Sequence, residues 1–128
     1  MKKGLLALFT LVLSASILTG CKKEEILGFK KYEDRGYIIV GLDDTFAPMG
    51  FRNEKNDIVG FDVDLAKETF KRLNLEVKFQ PIDWAMKETE LNSGNIDMIW
   101  NGYTITPERE EKVTFTKPYL ENRQVIIT

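Results

Sequence analysis

Hydrophobic and polar positions follow two different periods along this chain, and the switches between them mark out its elements. Residues 37–42, YIIVGL, are a β-rich apolar run that stops at Asp43, and residues 43–50 carry Pro48 and Gly50, so the pair reads as a strand leaving into a loop. Residues 53–57 form a polar turn leading into Ile58, Val59 and Gly60. Val63, Ala66, Phe70 and Leu73 then recur at helical spacing, with Lys67, Lys71 and Arg72 largely off that face. Asp62 is a candidate cap for this helix, and Asn74 suits its end. Residues 76–80 alternate as a second strand, which Pro81 stops, and Asp83 is placed to cap a second helix ending near Ser93 and Gly94. Residues 96–100, IDMIW, read as a short buried strand. Beyond it Gly102 lets the backbone turn, and Thr106-Pro107 reads as an N-cap followed by proline at the first helical position. A last apolar strand is predicted over 124–127.

Strands alternating with helices predict an α/β fold with parallel pairing and right-handed crossovers. Ligands of such open sheets bind at the carboxyl ends of the strands. Here the loops meeting that criterion begin at Asp43, Pro81 and Asn101. No internal repeat or low-complexity tract interrupts the pattern.

The N-terminal segment has a different character. Residues 1–20 start with Lys2 and Lys3, continue through an apolar core over 5–13, and end on Leu18-Thr19-Gly20 directly before Cys21, the single cysteine. The apolar stretch is short for a bilayer-spanning helix, so it reads as a lipoprotein signal peptide. Leu18-Thr19-Gly20-Cys21 resembles the lipobox of bacterial lipoproteins, in which the cysteine becomes the first mature residue and carries the lipid. Residues 22–32 are polar, and 21–36 are expected to be a lipidated tether ahead of one small domain over 37–128. Without Lys2 and Lys3 the remainder has 16 basic against 20 acidic residues, a net charge of −4, which argues against a nucleic-acid partner.

The three loops hold complementary chemistry. Asp43 can pair with an ammonium group, and Phe46 and Trp84 can stack on an aliphatic or amide portion. Thr104 offers a hydroxyl, and Arg109 a planar fork that grips a carboxylate through two parallel hydrogen bonds. The start of a helix at Pro107 adds free amides and a positive dipole end. Together these describe a site for an amino acid. Each residue also has a plainer reading: Phe46 and Trp84 as core aromatics, Asp43 as a loop cap, Arg109 as a solvated side chain. Catalysis has little to stand on, with no histidine, no thiol beyond Cys21, no Gly-rich phosphate loop and no metal-ligand cluster, so no cofactor or metal is implied.

Four motifs carry a family resemblance: GLDDTFAPMGF from Gly41, VGFDVDLA from Val59, IDMIWNGYTITPER from Ile96, and FTKPY from Phe115. Their order and spacing resemble the polar amino-acid-binding proteins of bacterial ABC importers, the extracellular solute-binding proteins of family 3. The resemblance implies a periplasmic-binding-protein-like fold of type II, as an incomplete first lobe with a mostly parallel sheet flanked by helices. By that likeness Asp43 and Phe46 contact the ligand from the first loop, and Trp84 forms the opposing aromatic wall. Gly102 presents its carbonyl to the α-ammonium, Thr104 bonds the carboxylate, Arg109 clamps it, and Asn101 lines the same pocket. Asp62 and Asp64 are expected to cap and solvate the first helix, with no metal role.

The implied function is capture of a polar amino acid outside the cytoplasmic membrane, anchored by lipid at Cys21, and delivery to a membrane permease, without chemistry. Other readings stay open: a dehydratase-like enzyme on the same scaffold, a standalone sensing lobe, or a truncated fragment without function. Family members are expected to have two lobes, and this chain stops at Thr128, about where the first crossing between lobes would fall. The expectation is therefore an N-terminal lobe alone, lacking a returning sheet strand, marginally stable, and binding free amino acids weakly or not at all.

Overall fold

The computed structural model describes residues 24–128; the expected signal segment 1–20 and Cys21 lie outside the described residues. The chain divides into two units, Met1–Arg35 and Gly36–Thr128. In the first, Glu24–Arg35 is a helix of 12 residues, α1. Residues read as a polar tether are thus helical. Lys30 and Asp34 stand four apart with their charged atoms 3.8 Å from each other, and Tyr32 meets Phe29 edge-on at 6.5 Å. Spacings of three and four bring side chains together along one face of a helix, and a polar composition does not reveal them unless they are looked for.

The second unit begins with β1 (Tyr37–Leu42), followed by three short strands, β2 (Thr45–Phe46), β3 (Gly50–Arg52) and β4 (Ile58–Val59). Helix α2 (Phe61–Arg72) leads to β5 (Glu76–Pro81). A 3-10 turn (Trp84–Met86) and α3 (Lys87–Asn92) lead to β6 (Met98–Ile99), and α4 (Pro107–Glu110) is the last regular element. One sheet is parallel, in the order β5-β1-β6, with Tyr37 opposite Glu76 and Val40 opposite Met98. The other is antiparallel, in the order β2-β3-β4. The stretch read as a loop after Asp43 is therefore partly a β-meander.

β1 is central and covered on both faces, which is why its apolar residues run on instead of alternating. Val40 and Leu42 are fully buried, together with Ile38, Val63, Ala66, Phe70, Leu75 and Ile96. Burying a side chain of this size contributes about 1.5–3 kcal/mol. α2 packs on β5 through its apolar stripe, but Leu73 lies outside the core at 45% exposure, and the helix ends there. Asn74 takes φ +55°, as its place after the helix led us to expect, and turns Leu75 back into the core.

Three expectations need correction. Gly60, not Asp62, occupies the N-cap of α2: its φ is +137°, and a Cβ there would stand 2.4 Å from the Met49 carbonyl oxygen. Asp62 lies inside the first turn, 1% exposed instead of solvated, with Tyr119 Oη donating to its Oδ1 at 2.7 Å. Second, the strand predicted over 96–100 shrinks to β6. At its start Ile39 N donates to Asp97 Oδ2 at 2.8 Å, so a side chain takes the place of a ladder carbonyl. Third, residues 124–127 form no strand, and Val125, Ile126 and Ile127 are 78%, 91% and 92% exposed. β-branched composition describes suitability for a sheet; a strand exists only where a neighbour supplies the ladder.

Candidate functional site

From β1 the chain crosses to β5 on one side, and then to β6 on the other. The order of the strands therefore reverses beside β1, and the carboxyl ends of β1 and β6 diverge into a crevice. Asp43 follows β1, and Asn101 closely follows β6. The Asp43 amide donates to Asn101 Oδ1 at 2.9 Å and ties the two loops together. Asn101 is 2% exposed and its Nδ2 has no hydrogen-bond partner. A Cβ at Gly50 would come within 2.9 Å of that nitrogen, which explains the glycine in β3.

Above this tie lies an open cleft of about 240 Å³. Asp43, Phe46, Trp84, Asn101, Gly102, Thr104 and Arg109 all line it, so the seven residues singled out from sequence come together in one place. Asp43 Oδ1 accepts from both the amide and the hydroxyl of Thr45, at 2.9 and 2.7 Å, which fixes the carboxylate at the cleft. Phe46 is 48% exposed and is not a core aromatic. Gly102 has φ +60°, and a Cβ there would sit 3.3 Å from the Phe46 ring. Glycine thus lets the turn after β6 run close beside the aromatic side chain.

Trp84 is half-buried and meets Tyr103 edge-on, at 5.5 Å and 83°. Asp83 caps its 3-10 turn, accepting from the Ala85 amide at 2.9 Å. Arg109 extends from α4, with Nη1 donating to the Thr104 carbonyl at 2.8 Å and Cζ 4.6 Å from the Tyr103 ring centre. Thr104 Oγ1 accepts from Asn122 Nδ2 at 2.6 Å.

The expected helix terminus is weaker than its sequence promised. α4 spans four residues, and Thr106 makes no side-chain bond to a helix amide. A single turn sums too few peptide dipoles to draw an anion by itself, so positive charge at the cleft comes from Arg109. Tyr103 and Asn122 also line the cleft and were not anticipated. An aromatic residue between Gly102 and Thr104 was a usable local signal, whereas Asn122 arrives through a distant part of the chain and gave none.

Tyr103 is coupled electrostatically to Glu88. Burial, then the Glu88 carboxylate that accepts its hydroxyl at 2.6 Å, pushes its pKa up to about 12. The same hydroxyl is the main reason that the Glu88 carboxyl lies below its ordinary range. Among the described residues, no three acidic or cysteine side chains gather as a metal site.

Residues 38–128 match the model of the bacterial extracellular solute-binding proteins, family 3. L-cystine-binding protein TcyJ of Escherichia coli (strain K12) is 35% identical over 89 residues, 70% of this chain and 34% of that protein. The crystal structure of an ABC uptake transporter substrate binding protein from Streptococcus pneumoniae with bound histidine is similar at 48% identity and a TM-score of 0.71, covering 72% of this chain and 37% of that one. The arginine-bound form of domain 1 from TmArgBP is similar at 44% identity and a TM-score of 0.68, covering 70% of this chain and 71% of that domain. The chain spans about a third of the length of curated relatives such as TcyJ. The mixed α/β fold with its parallel sheet is the fold of these amino-acid-binding proteins. With the match running from the second residue of β1 to Thr128, the chain belongs to the bacterial extracellular solute-binding proteins of family 3.

Proposed function

We propose that this chain forms one wall of the ligand cleft of an ABC importer's substrate-binding component and captures a polar amino acid. The observation that carries this reading is the meeting of opposite charges in one cleft, Asp43 after β1 and Arg109 on α4, with Phe46 and Trp84 beside them. A zwitterion needs an anion partner, a cation partner and an apolar surface between them, and this set of side chains offers all three. In this reading Arg109 grips the α-carboxylate through its free donors, and Thr104 turns its hydroxyl from Asn122 to the ligand. Gly102 offers its carbonyl and Asp43 its carboxylate to ammonium groups. Phe46 and Trp84 hold the side chain, and Asn101 acts mainly by tying the two loops. The protein performs no chemistry on its ligand and passes it to a membrane permease. Lipidation at Cys21 would keep it on the outer side of the cytoplasmic membrane.

An isolated lobe was expected to bind weakly or not at all. The arginine-bound form of domain 1 from TmArgBP supports binding by a single lobe of this kind. Calorimetric titration of the purified protein with L-arginine, L-histidine, L-cystine and neutral L-amino acids tests the reading. Saturable binding of at least one of them, lost in Arg109→Ala, is the expected result; absence of binding across the whole panel would overturn it.

A further inference from the structure

The cleft's cation is supported from behind. Arginine has a long, many-rotamer side chain, and its planar fork meets a carboxylate well in only a narrow range of orientations. Here the Arg109 guanidinium lies over the Tyr103 ring, its Cζ 4.6 Å from the ring centre. Tyr103 is itself held on several sides. Its hydroxyl donates to Glu88 Oε1 at 2.6 Å, while its ring meets Trp84 at 5.5 Å and Phe115 at 5.2 Å. Glu88 belongs to α3, does not line the cleft, and its other carboxylate oxygen lies 3.3 Å from Lys87 Nζ.

We propose that Glu88 and Tyr103 are positioning residues for Arg109: the Glu88 carboxylate fixes the Tyr103 ring through its hydroxyl, and the ring face fixes the guanidinium where it meets a ligand carboxylate. This rests on reading the cleft as an amino-acid site. The physical effect is preorganisation. A guanidinium stacked on an aromatic face keeps its in-plane N–H donors available while losing much of its rotational freedom before the ligand arrives. The order of dependence is Glu88, Tyr103, Arg109, and it links α3 to α4 without a direct contact between the two charged side chains at its ends.

The test uses the purified protein, two probes and one measurement without ligand. L-arginine and agmatine, the same molecule without its carboxylate, are titrated calorimetrically. The upfield ring-current shift of the Arg109 δ-protons reports stacking on Tyr103 in the free protein. Glu88→Ala and Tyr103→Phe should each weaken L-arginine binding about three- to tenfold, leave agmatine nearly unchanged, and reduce the ring-current shift. The double variant should lose no more than either single one. Glu88→Gln, which keeps an acceptor for the tyrosine hydroxyl but no charge, should stay close to wild type in both measurements. An undiminished ring-current shift in Glu88→Ala, or a Glu88→Gln protein as impaired as Glu88→Ala, overturns the positioning role. Equal affinity of the wild type for L-arginine and agmatine instead overturns the carboxylate-binding part of the amino-acid reading, and where neither probe binds, the ring-current shift decides the positioning role alone.

Discussion

Tyr119 donates its hydroxyl to Asp62 Oδ1 at 2.7 Å, joining the segment after α4 to the first turn of α2. Burial raises the Asp62 pKa above 3.8, with the Tyr119 hydroxyl, the Gly102 amide and the Trp100 indole pulling it partly back. Trp100 Nε1 and Asp62 Oδ2 are both buried without a hydrogen-bond partner. The carboxylate thus lies beneath the turn that brings Gly102 to the cleft.

A raised folded-state pKa means that the folded protein holds this proton more tightly than the unfolded chain. Its contribution to stability is full below pH 3.8 and is lost as pH rises through the folded value. Asp62→Asn, which keeps an acceptor for Tyr119, should raise the melting temperature at pH 7, and the gain should vanish below pH 3.8. Thermal unfolding of both proteins across pH measures it; a constant difference at every pH would mean that Asp62 does not titrate with folding.

Tyr119 has its pKa pushed up to about 12 by burial first and by Asp62 second. Its contribution should therefore persist up to its ordinary 10 and fall as pH rises towards 12. Tyr119→Phe leaves Asp62 without its hydroxyl donor and should cost about 1–3 kcal/mol at pH 7. Urea unfolding provides the comparison, and in Asp62→Asn the same replacement should cost less.

Arg109→Ala should remove about 2–5 kcal/mol of affinity for any bound α-amino acid, because the carboxylate is common to all of them. Trp84→Ala should instead change which side chains are preferred. Titration with several amino acids separates the two effects, and unchanged affinity in Arg109→Ala would place the carboxylate elsewhere.

Gly60→Ala should destabilise the fold by about 2 kcal/mol or more, since the new methyl group would collide with the Met49 backbone at a left-handed φ. A change below about 0.5 kcal/mol on urea unfolding would show that the turn before α2 yields.

Local pattern carried much of this fold. β1 begins and ends where its apolar run does, α2 follows its 3.6-residue stripe, Asp83 caps its turn through its side chain, and Asn74 and Gly94 punctuate the chain through their left-handed backbone. Errors arose where geometry depends on residues far away in sequence. Asp62 looked like a surface cap because nothing near it announces Tyr119, 57 positions later. Residues 124–127 had strand composition but no neighbour to complete a ladder. At the cleft, residues in the three strand-end loops were legible, whereas Asn122 and the support given by Glu88 required the fold.

Asp97 and Asn101 reach β1 in matching ways. Each accepts a backbone N–H from the residue 58 positions earlier, Ile39 and Asp43, so the two bonds stand at the same offset on either side of β6. A strand of only two residues has little of its own to prevent sliding, and slippage by two would keep every side chain on its proper face. These side chains act as a pair of locating pins. Any slide of β6 along β1 breaks both bonds at once, so the alignment that closes the sheet also sets where the ligand-facing turn begins. Exchanging Met98 and Ile99 for other apolar residues should leave that alignment intact, whereas moving either pin would shift the floor of the cleft.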